Sequence, residues 1–111
     1  MATPTQVAAP SMSDALARMW TKFLPEIENR MALLEAASAE LRAGALTDAV
    51  REAGHAAAHK LAGVLGTFGL PRGTELARMA ELLLAEDVPA SATTELEGWL
   101  AELKILIDGR K

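Results

Sequence analysis

The chain holds two histidines and no cysteine, and both histidines fall in the single stretch His55-Ala-Ala-Ala-His59. Imidazole is the one side chain here that is nucleophilic near neutral pH, because an unperturbed ring titrates at about 6.5 and is largely neutral above that. A neutral ring nitrogen can attack an activated phosphoryl group and hold it as a phosphoramidate. The His-x-x-x-His spacing also sets two imidazoles one helical turn apart, a known zinc spacing. A stable zinc site takes three or four protein ligands, and only Glu52 lies on the same face to join the pair, so the expectation is that His55 is a solvated helix residue. Phosphoryl transfer needs charge neutralisation as well as a nucleophile. Around His59 there is neither a Gly-rich loop with a trailing Lys nor a carboxylate cluster to hold a cation. A partner must therefore bring the activating groups.

Position on a helix separates the two histidines from the core. At about 100° per residue, with His59 set at zero, Leu46, Val50, Ala57, Leu61, Val64 and Phe68 fall roughly between 140° and 200°, and Leu65 near 240°. His59 sits opposite this apolar stripe and is expected to face solvent. His55, Glu52, Ala62, Gly63 and Gly66 lie within roughly 60° of it. Each glycine inside a helix costs about 1 kcal/mol relative to alanine. Gly63 and Gly66 therefore suggest a requirement other than helix stability: clearance that lets another surface close over the imidazole.

The run His59-Lys60-Leu61-Ala62-Gly63, followed by Gly66 and Gly69, resembles the histidine phosphotransfer (HPt) domain of two-component phosphorelays. That family carries an exposed His, a Leu two residues on, then Lys or Ala, then Gly, with a further Gly closing the helix. The resemblance covers about Ser11 to Asp108, with Ala62 standing where many members carry Lys. It implies that His59 accepts a phosphoryl group from the aspartate of a receiver domain and passes it to another receiver. It further implies that the receiver supplies Mg²⁺ and a lysine, that this chain needs no cofactor of its own, and that a hybrid histidine kinase is a possible partner. His55, Lys60, Ala62, Gly63 and Gly66 become the expected docking surface.

The elements that position these residues follow from periodicity and caps. Residues 1–10 hold two prolines and no period, and are expected to be a disordered tail ahead of a bundle over 11–108. Ser11 or Ser13 caps a short helix carrying Leu16, Met19 and Trp20 to about Lys22, and Pro25 opens a second helix to about Arg42. Gly44 marks its C′ stop. Thr47 and Asp48 start the central helix, which Gly69, Leu70 and Pro71 end. A further helix runs to about Ala85. The last one starts near Thr94, with a Thr94-to-Glu97 capping box, and buries Leu96, Trp99, Leu100, Leu103 and Leu106. Met12, Met19, Met31 and Met79 have the spacing of core fillers. Glu35, Glu40, Glu81, Glu95 and Glu102 are placed on solvated faces. The fold class is all-α: an antiparallel four-helix bundle, with the short additional N-terminal helix lying across one end.

Composition agrees. Half of the 111 residues are hydrophobic, with Leu and Ala dominant and Val and Ile sparse, which favours helices over strands. A net charge of −4 argues against nucleic acid. No apolar run approaches the ~20 residues of a membrane span, and the N-terminus lacks the charged and apolar regions of a secretory signal. The expected setting is the cytoplasm and the expected state a monomer. Two function classes stand: a phosphotransfer module, and a non-catalytic helical interaction domain that binds a receiver or kinase without transfer. The glycine clearance beside His59 favours the first, since a pure scaffold has no use for it.

Overall fold

The computed structural model describes residues 11–110, so the expected tail of residues 1–10 lies outside the described residues. Among these, all regular structure is helical: α1 (Met12–Arg42), α2 (Asp48–Thr67), α3 (Pro71–Leu83) and α4 (Thr93–Arg110), with a 3₁₀ turn at Ala90–Ala92 before α4. Adjacent helices pack in a ring, α1 on α2, α2 on α3, α3 on α4 and α4 back on α1. Short links force neighbours to run antiparallel. Ile27, Leu34, Leu61, Leu65, Leu76, Leu84, Leu96 and Leu103 close the centre with no side-chain exposure to speak of.

Two of the links are set by glycine. Gly44 and Gly69 take φ of 68° and 74°, a left-handed geometry that a Cβ would strain. At each, the following residue reaches back five positions and the glycine three: Ala45 N–H to Glu40 and Gly44 N–H to Leu41, Leu70 N–H to Leu65 and Gly69 N–H to Gly66. These are Schellman closures, which satisfy carbonyls the helix end would otherwise leave open. Pro71 then opens α3 at the position where a missing N–H costs nothing. The N-caps at Ser11 and Thr47 are also as expected. Ser11 forms the reciprocal capping box with Asp14, and the Thr47 hydroxyl accepts from Val50 N–H.

The separate short N-terminal helix is not present. α1 is one 31-residue helix that runs straight through Pro25. A proline in a helix interior costs about 3 kcal/mol. Against that, Trp20 is 3% exposed, stacked edge-on against Phe68 at 5.2 Å, with Phe23 tilted against the same ring. Burying ~150–250 Å² of an aromatic at about 25 cal/mol/Å² contributes roughly 4–6 kcal/mol. Continuing the helix keeps Trp20 on one line with Ile27, Met31 and Leu34, and that burial offsets the proline.

The start of α4 differs too. Thr93, not Thr94, begins it, its hydroxyl donating to Ala90 carbonyl at 2.8 Å. Glu97 is taken by Arg42 of α1 in a two-point ion pair rather than by a capping box. A second fork, Arg72 to Glu102 at 2.8 and 3.1 Å, ties α3 to α4, so Glu102 is paired rather than merely solvated. Each arginine holds its glutamate below the ordinary carboxylate range through these hydrogen bonds. On α4 it is Ile107 that completes the buried line, while Trp99 and Leu106 are half-buried. Of the four methionines expected inside, Met31 is buried and Met79 packs at the core's edge. Met12 and Met19 are exposed: Met12 sits in the first turn of α1, and Met19, next to the buried Trp20, borders the groove with Phe23 and Val64 instead of entering the core.

Candidate functional site

His59 lies midway along α2, and its side chain is 67% exposed. α2 buries Gly54, Ala57, Ala58, Leu61, Ala62 and Leu65. The buried arc is wider than the apolar stripe because two neighbours share it, α1 on one side and α3 on the other. Gly54 shows how close α1 comes: an added Cβ there would sit 3.2 Å from the Ala37 side chain.

The α2–α3 pairing fixes what stands next to the histidine. At the Gly69 turn the chain reverses, and Thr74 of α3 lies against α2, its hydroxyl donating to Ala62 carbonyl at 2.8 Å. A Cβ on Gly66 would come within 3.1 Å of that hydroxyl oxygen. Two helical turns back from Gly66 is His59, and two turns forward from Thr74 is Glu81. The two meet: His59 Nδ1 lies 2.7 Å from Glu81 Oε2. Glu81 is 19% exposed, with its other oxygen 3.9 Å from Arg78 Nη1. A carboxylate in its ionised form only accepts, so beside it Nδ1 is the donor, and the neutral tautomer this contact selects has its lone pair on Nε2. The arrangement leaves a held imidazole with its nucleophilic nitrogen free.

Several expectations need correcting here. Glu81 does not sit on a solvated face; it is the partner of His59. Ala62 is not part of an open docking face, being 1% exposed under α3. Gly66 is exposed, as expected, and one contact adds a packing limit on its size, since a Cβ there would lie 3.1 Å from the Thr74 hydroxyl oxygen. Gly63 is exposed, with nothing within 4 Å of an added Cβ. Lys60 is exposed and His55 is half-buried one turn before His59. Among the described residues, no group of three or more His, Asp or Glu is placed to hold a metal ion.

On its α1 side, His59 borders a shallow groove lined by Phe23, Glu26 and Arg30 of α1 and by Lys60, Gly63, Val64 and Thr67 of α2. The groove is apolar towards Met19, Phe23, Val64 and Phe68, and basic at Arg30 and Lys60. The sequence pattern does not single out Arg30, and it places Glu81 with the solvated glutamates. The antiparallel register around Gly69 was the available signal for Glu81.

The family model for the Hpt domain matches residues 18–109. No curated protein and no solved structure matches the chain. No helix among the described residues is long and apolar enough to cross a membrane.

Proposed function

The chain belongs to the Hpt-domain family, whose members are phosphocarrier modules of two-component signalling, and from that premise we propose that His59 is the residue that carries the phosphoryl group. The donor is the aspartyl phosphate of a receiver domain and the acceptor is the aspartate of a second receiver. In the first step the Nε2 lone pair attacks phosphorus, an N–P bond forms, and the acyl phosphate P–O bond breaks with the electron pair leaving on aspartate. Nδ1 keeps its proton, so the ring becomes a phosphoimidazolium whose positive charge faces the Glu81 carboxylate. The return step is the reverse, with the ring as leaving group. Mg²⁺ and lysine of the receiver neutralise the transferring group.

One observation carries this reading: an exposed histidine whose Nδ1 is held at 2.7 Å by a carboxylate from the next helix, with open space beside it at Gly63. Glu81 is the positioning residue in this scheme. Lys60 and Gly63 remain on the docking surface, with His55 at its edge.

The test is to mix the protein with a phosphorylated receiver and Mg²⁺ and follow acid-labile, base-stable phosphate on this chain. Wild type and His55→Gln should be labelled, and His59→Gln should not, while its melting temperature stays close to wild type because an exposed side chain contributes little packing. Labelling of His59→Gln would refute the assignment. Tight receiver binding without any labelling of wild type would establish the binding-only reading instead.

A further inference from the structure

A phosphoryl group on Nε2 brings about two negative charges to a chain whose net charge is already −4. Glu81 on the far side of the ring adds a third nearby. Something cationic has to face the group, and the sequence position where many family members carry a lysine is here Ala62, buried under α3. The groove on the α1 side offers two cations, Lys60 and Arg30. Lys60 is exposed and well hydrated. Arg30 differs: its side chain is only 21% exposed, and its ion pair with Glu26 spans 3.8 Å, a length beyond hydrogen bonding. Its partner is 59% exposed and belongs to the preceding turn of the same helix, a class of pair that contributes little.

Arg30 is therefore an arginine held mostly out of water, with a weak partner, in the same groove as the candidate phosphoryl acceptor. A guanidinium offers five N–H donors in a planar fork that matches two phosphate oxygens at once. Gly63, without a side chain, leaves the space between α1 and α2 open. We propose that Arg30 is the phosphate-binding residue of the phosphorylated state, exchanging its long pair with Glu26 for the phosphoryl oxygens on His59. Glu26 then acts as a competitor that holds the guanidinium in the groove while His59 is bare. The inference rests on His59 being the carrier, and it adds a binding partner for the group after transfer.

The charged and titratable residues around the exchange are Glu26 and Arg30 from α1, His55 and Lys60 from α2, and Arg78 and Glu81 from α3. Two substitutions of opposite sign isolate it. The equilibrium of phosphoryl transfer between a phosphorylated receiver and this protein is measured at fixed pH and ionic strength, with the fraction on His59 read by ³¹P NMR. Arg30→Gln should lower the equilibrium share on His59 about tenfold, and Arg30→Lys should restore part of it. Glu26→Gln should raise it about two- to fivefold by freeing the guanidinium. A purely structural role predicts that both substitutions shift melting temperature and neither moves the equilibrium. The direct signature is a change in the Arg30 Nε–H resonance on phosphorylation, absent in His59→Gln. Labelling at His59 with an unchanged equilibrium in Arg30→Gln overturns this inference and leaves the carrier assignment intact. Absence of labelling in wild type overturns the carrier assignment itself.

Discussion

Gly63 separates clearance from packing, and Gly63→Leu is the substitution that tests it. It lies inside α2, and a Cβ there meets nothing within 4 Å. Replacing an interior glycine with a good helix former should therefore return about 0.5–1 kcal/mol of helix propensity with no steric charge against it. For a domain near 100 residues that corresponds to a melting temperature higher by roughly 2–6 °C. The functional effect runs the other way. Residues four apart on a helix stand about 5–6 Å apart at Cβ, and helical side chains lean towards the N-terminus. A leucine at 63 leans over the turn that carries His59. Displacing the approaching phosphoryl donor by about 1 Å already costs ~100-fold, so transfer should fall at least that far. Gly66→Ala is the matched control. Its Cβ would lie 3.1 Å from the Thr74 hydroxyl, so neighbouring atoms must give by tenths of an ångström and the propensity gain is offset. At two turns from His59 it should leave transfer near wild type. The assay is the rate of label transfer from a phosphorylated receiver, with thermal unfolding on the same samples. Wild-type transfer in Gly63→Leu refutes the clearance argument, and a melting temperature several degrees lower shows that position 63 is packed.

Three further outcomes are expected. Glu81→Gln, which keeps an acceptor for Nδ1–H but removes the charge facing the phosphoimidazolium, should slow transfer about tenfold, and Glu81→Ala should also let ¹⁵N NMR detect both neutral tautomers of His59; a wild-type rate in Glu81→Ala would refute the positioning role. Pro25→Ala should raise stability by about 1–3 kcal/mol in denaturant titration, because it restores a donor for the carbonyl one turn earlier and removes a ring clash; a loss of stability would show that α1 depends on the proline's geometry. Glu97 and Glu102 have pKa values lowered by their arginines, so their stabilisation is fully present above the ordinary glutamate value of about 4.3 and is lost as pH falls through the lower folded values. The melting temperature of wild type should therefore drop more steeply in that acid window than that of the Glu97→Gln, Glu102→Gln double variant, and the gap between them should shrink in high salt.

Most of the helical layout was legible because local signals agree with one another. Ser11, Thr47, Gly44, Gly69 and Pro71 each mark an end by a mechanism that operates within a few residues. The exposure of His59 was legible for the same reason, since a polar residue opposite an apolar stripe needs no knowledge of any other helix. Pro25 misled because a local cost was read without the distant gain that exceeds it, the Trp20–Phe68 contact across 48 positions of chain. The Thr94–Glu97 signature failed similarly, since Glu97 had a better partner on α1.

The two residues misplaced around His59, Ala62 and Glu81, share one cause. A helical wheel treats exposure as a property of one helix, whereas α2 is covered from two sides and the boundary of that cover depends on register. Small residues set how near the neighbours come: Gly54 towards α1, Ala62 under α3, Gly66 beside Thr74, and Gly73, where a Cβ would sit 3.0 Å from Leu65. With α2 and α3 so close, a glutamate at the edge of α3 can reach a histidine at the edge of α2, while a longer separation would leave both in water. The Gly69 turn and the Thr74–Ala62 contact determine which edge residues meet. The alanine and glycine content that first reads as mere helix propensity is thus what holds a carboxylate against Nδ1 and leaves Nε2 free.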